Sequence, residues 1–406
     1  MRVLLVNKFW YLKGGAERVL FDTKKTLEDA GHVVEVFGMK DEKNKFENKY
    51  FIDNIDYHKV KGFKKIKVFK DFIFNKKAKE SFRKLIKEFK PDVVHFHNIY
   101  HQLSFSLIDV VREENILSVM TLHDYKMISP NYNLFHHGKI GEECLDGKYH
   151  QCFFKNCLEN WSWSFVATLE AYYRKIKKFD MYINMYISPS EFLKNKFEEF
   201  GFKGEIKVLS NPVREFKGSF DKLRMTNGKE GSGILYFGRL SREKGVDILL
   251  KSAKLTPEIN YKIAGNGPDE NNLKKYAKEN SLKNVEFLGF LQKEELEKEI
   301  NNCRFVIVPS IWYENYPMNV LESLQHSKIV VASKIGGIPE ILPEELLFTP
   351  NNPQDLAKTV KLWYDKPFKE LELLGQKLKK QVEKNSNPDK YLESLLSIYE
   401  EVQRKK

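Results

Sequence analysis

Short apolar runs alternate with longer stretches in which apolar residues recur every three or four positions, the pattern of strands and helices wound into a parallel sheet. Residues 3–6, VLLV, make the first strand. The helix after it turns Val19, Leu20, Thr23 and Leu27 inward and stops at Gly31, a residue suited to a left-handed C-terminal turn. Phe82, Leu85, Ile86 and Phe89 mark the buried stripe of another helix, and Pro91 introduces the strand DVVHFHN. Within that strand His95 and His97 flank Phe96 and share one face. Residues 117–122 form a further strand ending in His123 and Asp124, and residues 180–187 the last strand of the first half. SPSEF from Ser188 opens a helix with Ser and Glu placed for capping. In WSWSFVATLEAYYRK, Trp161, Phe165, Leu169 and Tyr172 fall on one helical face, which the periodicity assigns to the core. Residues 218–233 are polar, glycine-rich and aperiodic, as a flexible linker is. Beyond them strands and helices alternate again, and the chain closes in helices, the last over 388–403.

The chemistry concentrates in the second half. PSIWYENYPMNVLE, residues 309–322, follows the apolar run 305–308 and runs into a helix opening near Pro317. Glu314 therefore lies in a strand-to-helix loop and Glu322 about a turn into the helix, at the sheet edge where open α/β folds bind ligands. The N–H groups around Asn319 and Val320, in the helix's first turn, can hold an anion. An isolated pair of this kind reads as one capping and one solvated glutamate. Three more loops change that reading: GRLSREKG from Gly238, carrying Arg239 and Lys244; IAGNGP from Ile263; and GGIP from Gly336. Each follows an apolar run, so four loops line one edge of one parallel sheet.

Together these motifs resemble the donor-binding domain of retaining, GT-B-fold glycosyltransferases of family 4, whose two glutamates are spaced as Glu314 and Glu322 are. The resemblance covers nearly the whole chain. It implies an α/β protein with two Rossmann-like doubly wound domains facing each other across a cleft. The first would span residues 1–213 and bind the acceptor, with a crossover helix at 387–406 packing back on it; 214–233 would be the linker, and 234–386 would bind a nucleotide sugar. It further implies a retaining, metal-independent hexosyl transfer from a nucleotide diphosphate sugar, with no required cofactor, to a glycan or lipid-linked acceptor in cell-surface polysaccharide or glycolipid synthesis. By the same resemblance Glu314 holds donor-sugar hydroxyls, Glu322 the ribose, and Arg239 and Lys244 the charge developing on the leaving diphosphate. His123 lies close to the transferred sugar, and the Gly14-Gly15 turn meets donor phosphates or acceptor; His97, Asn98 and Asp124 line the acceptor side. The chain contains no Asp-x-Asp triplet, the usual metal and diphosphate ligand of the other large glycosyltransferase fold. A nucleotide-sugar epimerase and a catalytically silent nucleotide-sugar-binding scaffold remain the alternatives.

Composition narrows the setting. A length of 406 residues with 42% hydrophobic content suits two domains, and no run approaches a membrane span of about 18 apolar residues. Four cysteines make no disulfide framework, and the apolar start is too short for a signal peptide, so the expected location is cytoplasmic. The net charge of +12 favours anionic partners. Residues 59–79 hold nine lysines against Asp71, interleaved with Val60, Phe63, Ile66, Phe69, Phe72, Ile73 and Phe74. That pattern reads either as a solvated surface helix or as a helix lying on an anionic membrane at its inner face. No recognisable nucleic-acid motif accompanies it, so nucleic acid is not an expected partner. Cys144, Cys152 and Cys157 resemble a cysteine-bearing insertion of some family members, with Gly141 where another cysteine is expected. Free buried thiols are the default; three thiolates with one of His136, His137 or His150 would instead make a tetrahedral zinc site.

Overall fold

The computed structural model describes residues 1–54, 64–213 and 233–405, with side chains in the helix from Lys64 described from Val68 onward. The expected linker and the first part of the lysine-rich segment, residues 59–63, lie outside the described residues, apart from Gly233. The chain forms two compact units: Met1–His137, Gly141–Pro212 and Pro388–Lys406 in one, Gly138–Ile140 and Val213–Asn387 in the other.

The first unit is built on strands β1 (Arg2–Val6), β2 (Val33–Phe37), β3 (Val93–Phe96), β4 (Leu117–Thr121), β5 (Met185–Ser188) and β6 (Ile206–Val208). Their order is β2-β1-β3-β4-β5-β6, and every neighbouring pair is parallel. Its helices are α1 (Gly15–Asp29), α2 (Lys64–Ile73), α3 (Lys76–Phe89), α4 (Ser106–Glu113), α5 (His150–Phe154), α6 (Trp161–Lys177) and α7 (Glu191–Glu199). Strands buried on both faces must be apolar throughout, and Val3, Leu4, Leu5 and Val6 all are. Asn75, Asn160 and Ser190 each accept from the N–H of the third residue of α3, α6 and α7, one of the free donors of the first turn.

The second unit repeats the plan with β7 (Ile234–Phe237), β8 (Tyr261–Ala264), β9 (Val285–Gly289), β10 (Phe305–Val308), β11 (Val330–Ser333) and β12 (Leu347–Phe348). They pair, all parallel, in the order β9-β8-β7-β10-β11-β12. Between them run α8 (Val246–Leu255), α9 (Glu270–Glu279), α10 (Lys293–Asn302) and α11 (Met318–Gln325), followed by α12 (Pro353–Tyr364) and α13 (Phe368–Ser386). The final helix, α14 (Pro388–Arg404), belongs to the first unit. Its Tyr391, Leu395, Ile398, Tyr399 and Val402 are buried in one cluster with Val3, Leu5, Leu20, Leu27 and Val93.

One expected face is reversed. Trp161, Phe165 and Leu169 of α6 are not in the core; they are 57%, 48% and 42% exposed. The buried face carries Ser164, Val166, Ala167, Thr168, Glu170, Ala171 and Arg174 instead. Glu170 there meets Lys126 Nζ at 2.6 Å, and Arg174 donates to the Tyr149 hydroxyl at 2.9 Å, so ion pairing and small residues set the helix's inward side. In α2 the described apolar side chains also depart from a membrane-facing stripe: Val68 and Phe72 are buried, and Phe69 and Phe72 pack on Trp163 of α6. Among the described residues no helix is long and apolar enough to cross a membrane.

Candidate functional site

In an open parallel sheet a ligand crevice forms at the carboxyl ends of the two strands between which the winding direction reverses. In the second unit those strands are β7 and β10. The loop after β7 carries Gly238 to Gly245 and the loop after β10 carries Pro309 to Pro317, so topology brings the proposed cations and Glu314 to one edge.

The two loops are fastened together. Ile311 N–H donates to the Glu243 carbonyl at 2.9 Å, and Gly337 N–H, in the loop after β11, donates to the Glu314 carbonyl at 2.7 Å. Gly245 sits at φ 66° with its Cα against the Pro309 carbonyl, and Gly336 at φ 63° against the Glu314 backbone. A Cβ at either would overlap those atoms, and the left-handed φ is itself unfavourable for other residues.

Glu314 is buried, and its carboxylate meets Lys244 Nζ at 2.7 Å and the Ser310 hydroxyl at 2.6 Å, with the Trp312 indole among the groups beside it. Burial pushes this carboxyl up, but the Lys244 charge and the surrounding donors outweigh it and hold it below the usual range. Lys244 Nζ also lies 5.0 Å from the Trp312 ring centre. Thus two residues assigned separate tasks from sequence are paired with each other. Arg239 is exposed, on a turn held by the Tyr236 hydroxyl donating to its carbonyl at 2.8 Å. Asn319 reaches the Phe237 carbonyl at 3.4 Å. The Val320 N–H expected to face an anion is engaged by Asn319 Oδ1 at 3.0 Å and the Pro317 carbonyl at 3.2 Å, so an anion there has to displace them. Glu322 is half-buried on α11.

In the first unit the reversal lies between β1 and β3. Gly14 and Gly15 are exposed at the start of α1. At the carboxyl ends of β3 and β4, three imidazoles stack: His95, within β3, on His97 at 4.6 Å and His97 on His123 at 5.1 Å between ring centres. His97 Nδ1 and His123 Nε2 share a hydrogen bond of 2.8 Å, and His95 bonds both the Tyr399 hydroxyl and Thr121 Oγ1 at 2.7 Å. Burial holds all three neutral, lowering His95 to about 3, His123 to about 4, and His97 well below the ordinary value. His97 Nε2 and Asn98 Oδ1 are buried without hydrogen-bond partners among the described residues, a deficit that a bound polar ligand or water relieves.

Sequence reading missed Lys8, Ser310 and Trp312. Lys8 N–H donates to the Asn98 carbonyl at 3.0 Å, and Asn98 N–H to Asn7 Oδ1 at 3.0 Å, so the loops after β1 and β3 lock together. Burial lowers Lys8 to about 8 and raises Asp124 to about 6, each charge opposing the other's shift. Lys8 follows β1 as Arg239 follows β7, so the same strand-end rule had the means to find it.

The family model described as Glycosyltransferase Family 4 matches residues 13–215, and that described as Glycosyl transferases group 1 matches residues 222–385. An uncharacterized 42.6 kDa protein in the cps region of Klebsiella pneumoniae is 25% identical over 84% of this chain and 87% of its own length. Sucrose-phosphate synthase from Thermosynechococcus elongatus superposes with a TM-score of 0.73 at 16% identity, covering 100% of both chains. Anabaena HepE, solved in complex with UDP and glucose, gives a TM-score of 0.67 at 17% identity over 99% of this chain and 100% of its own.

Proposed function

The chain belongs to glycosyltransferase family 4 and has the GT-B fold, and from that premise we propose that it transfers a sugar from a nucleotide diphosphate sugar, with retention of anomeric configuration. The observation that carries the donor reading is the edge of the second unit's sheet, where Lys244 pairs with the buried Glu314 carboxylate across two glycine-bearing loops at the strand reversal, and Arg239 stands exposed in the same loop as Lys244. As the glycosidic bond breaks, negative charge grows on the leaving diphosphate. Arg239 and Lys244 are the donors for it, and loss of one such group typically lowers turnover by on the order of 10²–10³, or about 3–4 kcal/mol. Because these side chains supply the cationic charge, the reaction is proposed to need no metal. A diphosphate drawing on Lys244 loosens its hold on Glu314, leaving that carboxylate to accept from donor-sugar hydroxyls. Glu322 takes the ribose hydroxyls, and the first unit's His123, held neutral, serves as a hydrogen-bonding imidazole rather than a cation.

The acceptor reading is a glycan or lipid-linked chain used in polysaccharide or glycolipid synthesis, and the relative from a cps region supports it. An association with anionic membrane at its inner face is supported by α6, whose outward Trp161, Phe165, Leu169 and Ile176 make an apolar stripe ending beside Lys175, Lys177 and Lys178. Sedimentation with vesicles containing anionic lipid checks this: binding lost in Trp161→Ser/Phe165→Ser supports it, and wild-type protein left in the supernatant removes it.

Thermal-shift screening against UDP-, GDP- and ADP-sugars and their diphosphates tests the donor site. One nucleotide series is expected to stabilise the wild type, and Arg239→Ala and Glu322→Ala to lose the effect. Failure of every nucleotide at millimolar concentration would overturn it.

A further inference from the structure

The first unit holds a cluster of metal-type ligands that sugar transfer does not use. Cys144, Cys152 and Cys157 are all buried and unbridged, placed before, within and after the five-residue α5. The Cys152 and Cys157 thiols hydrogen-bond each other. Beside them a ring nitrogen of His136, a carboxylate oxygen of Glu143 and Cys157 Sγ all lie within 4.8 Å of one another. His136 Nε2 and Glu143 Oε2 are 3.1 Å apart, and His136 Nδ1 is buried without a hydrogen-bond partner among the described residues. The other two histidines of the segment are committed elsewhere: His137 Nε2 to the Lys155 carbonyl at 3.1 Å, His150 Nδ1 to the Tyr172 hydroxyl at 2.8 Å, both exposed.

Thiols are weak hydrogen-bonding groups, so burying two of them against an imidazole and a carboxylate gives little unless something at the centre binds all four. A divalent ion of borderline softness does so. Zinc takes mixed sulfur, nitrogen and oxygen ligands at about 2.0–2.3 Å in a tetrahedron, whose ligand atoms are then about 3.5 Å apart. His136, Glu143 and Cys157, within 4.8 Å of one another, contract to reach that spacing, and Cys152 joins them through its contact with Cys157. The backbone supplies a second reason for a cross-link. Leu134, His137, Asp146, Asn156 and Glu159 all adopt positive φ without being glycine, in a segment whose only α-helix is α5. An irregular segment of this kind has few ladder hydrogen bonds to hold it.

We propose that His136, Glu143, Cys152 and Cys157 bind one zinc-class divalent cation that fastens this segment in place. Binding releases the two thiol protons to solvent and requires no oxidant or reductant. The site is structural: it joins the chain before α5 to the chain after it. It thereby fixes Phe153, which packs on Trp161 and Phe165 of α6 at 5.6 Å each between ring centres.

The test is elemental analysis of purified full-length protein together with cobalt(II) substitution. About one zinc per chain is expected, and cobalt(II) should give tetrahedral d–d bands with thiolate-to-metal charge transfer. Cys157→Ser and His136→Ala should lose those bands, while Cys303→Ser, which alters the buried thiol of the second unit, should keep them. Circular dichroism of each variant separates loss of ligand from loss of fold, and the wild-type cobalt spectrum alone already decides the matter if a variant unfolds. A metal-free wild type that gives no cobalt bands would overturn the proposal. So would a Cys152–Cys157 disulfide found by mass spectrometry, or bands that persist in folded Cys157→Ser.

Discussion

Lys244 and Glu314 illustrate how much one contact decides. The carboxylate is buried, the ammonium mostly so, and the pair is worth more intact than either residue is alone. Removing one member of a buried pair typically costs about 3–5 kcal/mol, because the other is left uncompensated. Ser310 still donates to Glu314, so Lys244→Met is expected at the low end, about 3 kcal/mol. Urea unfolding measures it; a loss below about 1 kcal/mol would mean the pair contributes little in place. The imidazole stack makes a second residue-level test. His95 and His97 are protonated in an unfolded chain below about pH 6.5 but stay neutral in the fold, His95 down to about 3. The unfolded state therefore binds more protons between those limits, and stability falls as pH falls. His95 alone gives a slope of up to about 1 kcal/mol per pH unit between about pH 6 and 4, and His97 adds to it in the same direction. Replacing His95 by Gln should flatten that slope, which denaturant titration at several pH values will show.

At the scale of elements, the turns between strand and helix bear the site's precision. Gly245→Ala places a Cβ on the Pro309 carbonyl at a left-handed φ, so the loops after β7 and β10 have to separate. The backbone term alone is about 1–2 kcal/mol, and the overlap adds to it. The expected result is a loss of more than about 2 kcal/mol together with any nucleotide-dependent stabilisation, because Lys244 and Glu314 sit on the two displaced loops. Retained nucleotide protection would show that the turn can relax without moving them. These turns were legible in the sequence because apolar runs of four or five residues leading into glycine and then into helical periodicity have few other interpretations. The parallel α/β fold followed from the same alternation. The outward face of α6 was not legible: an aromatic stripe at helical spacing has the same signature whether it faces core or solvent. What turns it outward is Lys126 meeting Glu170, 44 positions along the chain, and nothing in local periodicity reports so distant a contact. The Lys244 to Glu314 pairing was hidden for the same reason, since strand order, not spacing, brings those loops together.

At the scale of the whole molecule, the last helix is the feature that makes the first unit depend on the chain's far end. Five side chains of α14, Tyr391, Leu395, Ile398, Tyr399 and Val402, are at most 5% exposed and fill the same core as β1 and α1. Burial of such side chains is worth about 1.5–3 kcal/mol each, roughly 7–15 kcal/mol together as an upper estimate. That equals the whole stability of a typical domain, about 5–15 kcal/mol. Two hydroxyls add direction: Tyr391 bonds Thr23 at 2.8 Å, and Tyr399 bonds His95 at 2.7 Å beneath the imidazole stack. A chain ending at Asn387 is therefore expected to lose the first unit's cooperative unfolding transition and become protease-sensitive between residues 1 and 212, while the second unit keeps its own transition. Tyr399→Phe grades the effect: it leaves the packing but strands His95 Nδ1, at about 1–2 kcal/mol. Should the truncated chain still show two transitions, the first unit's sheet would be self-sufficient, and the His95 contact would be left as the helix's main contribution to the site.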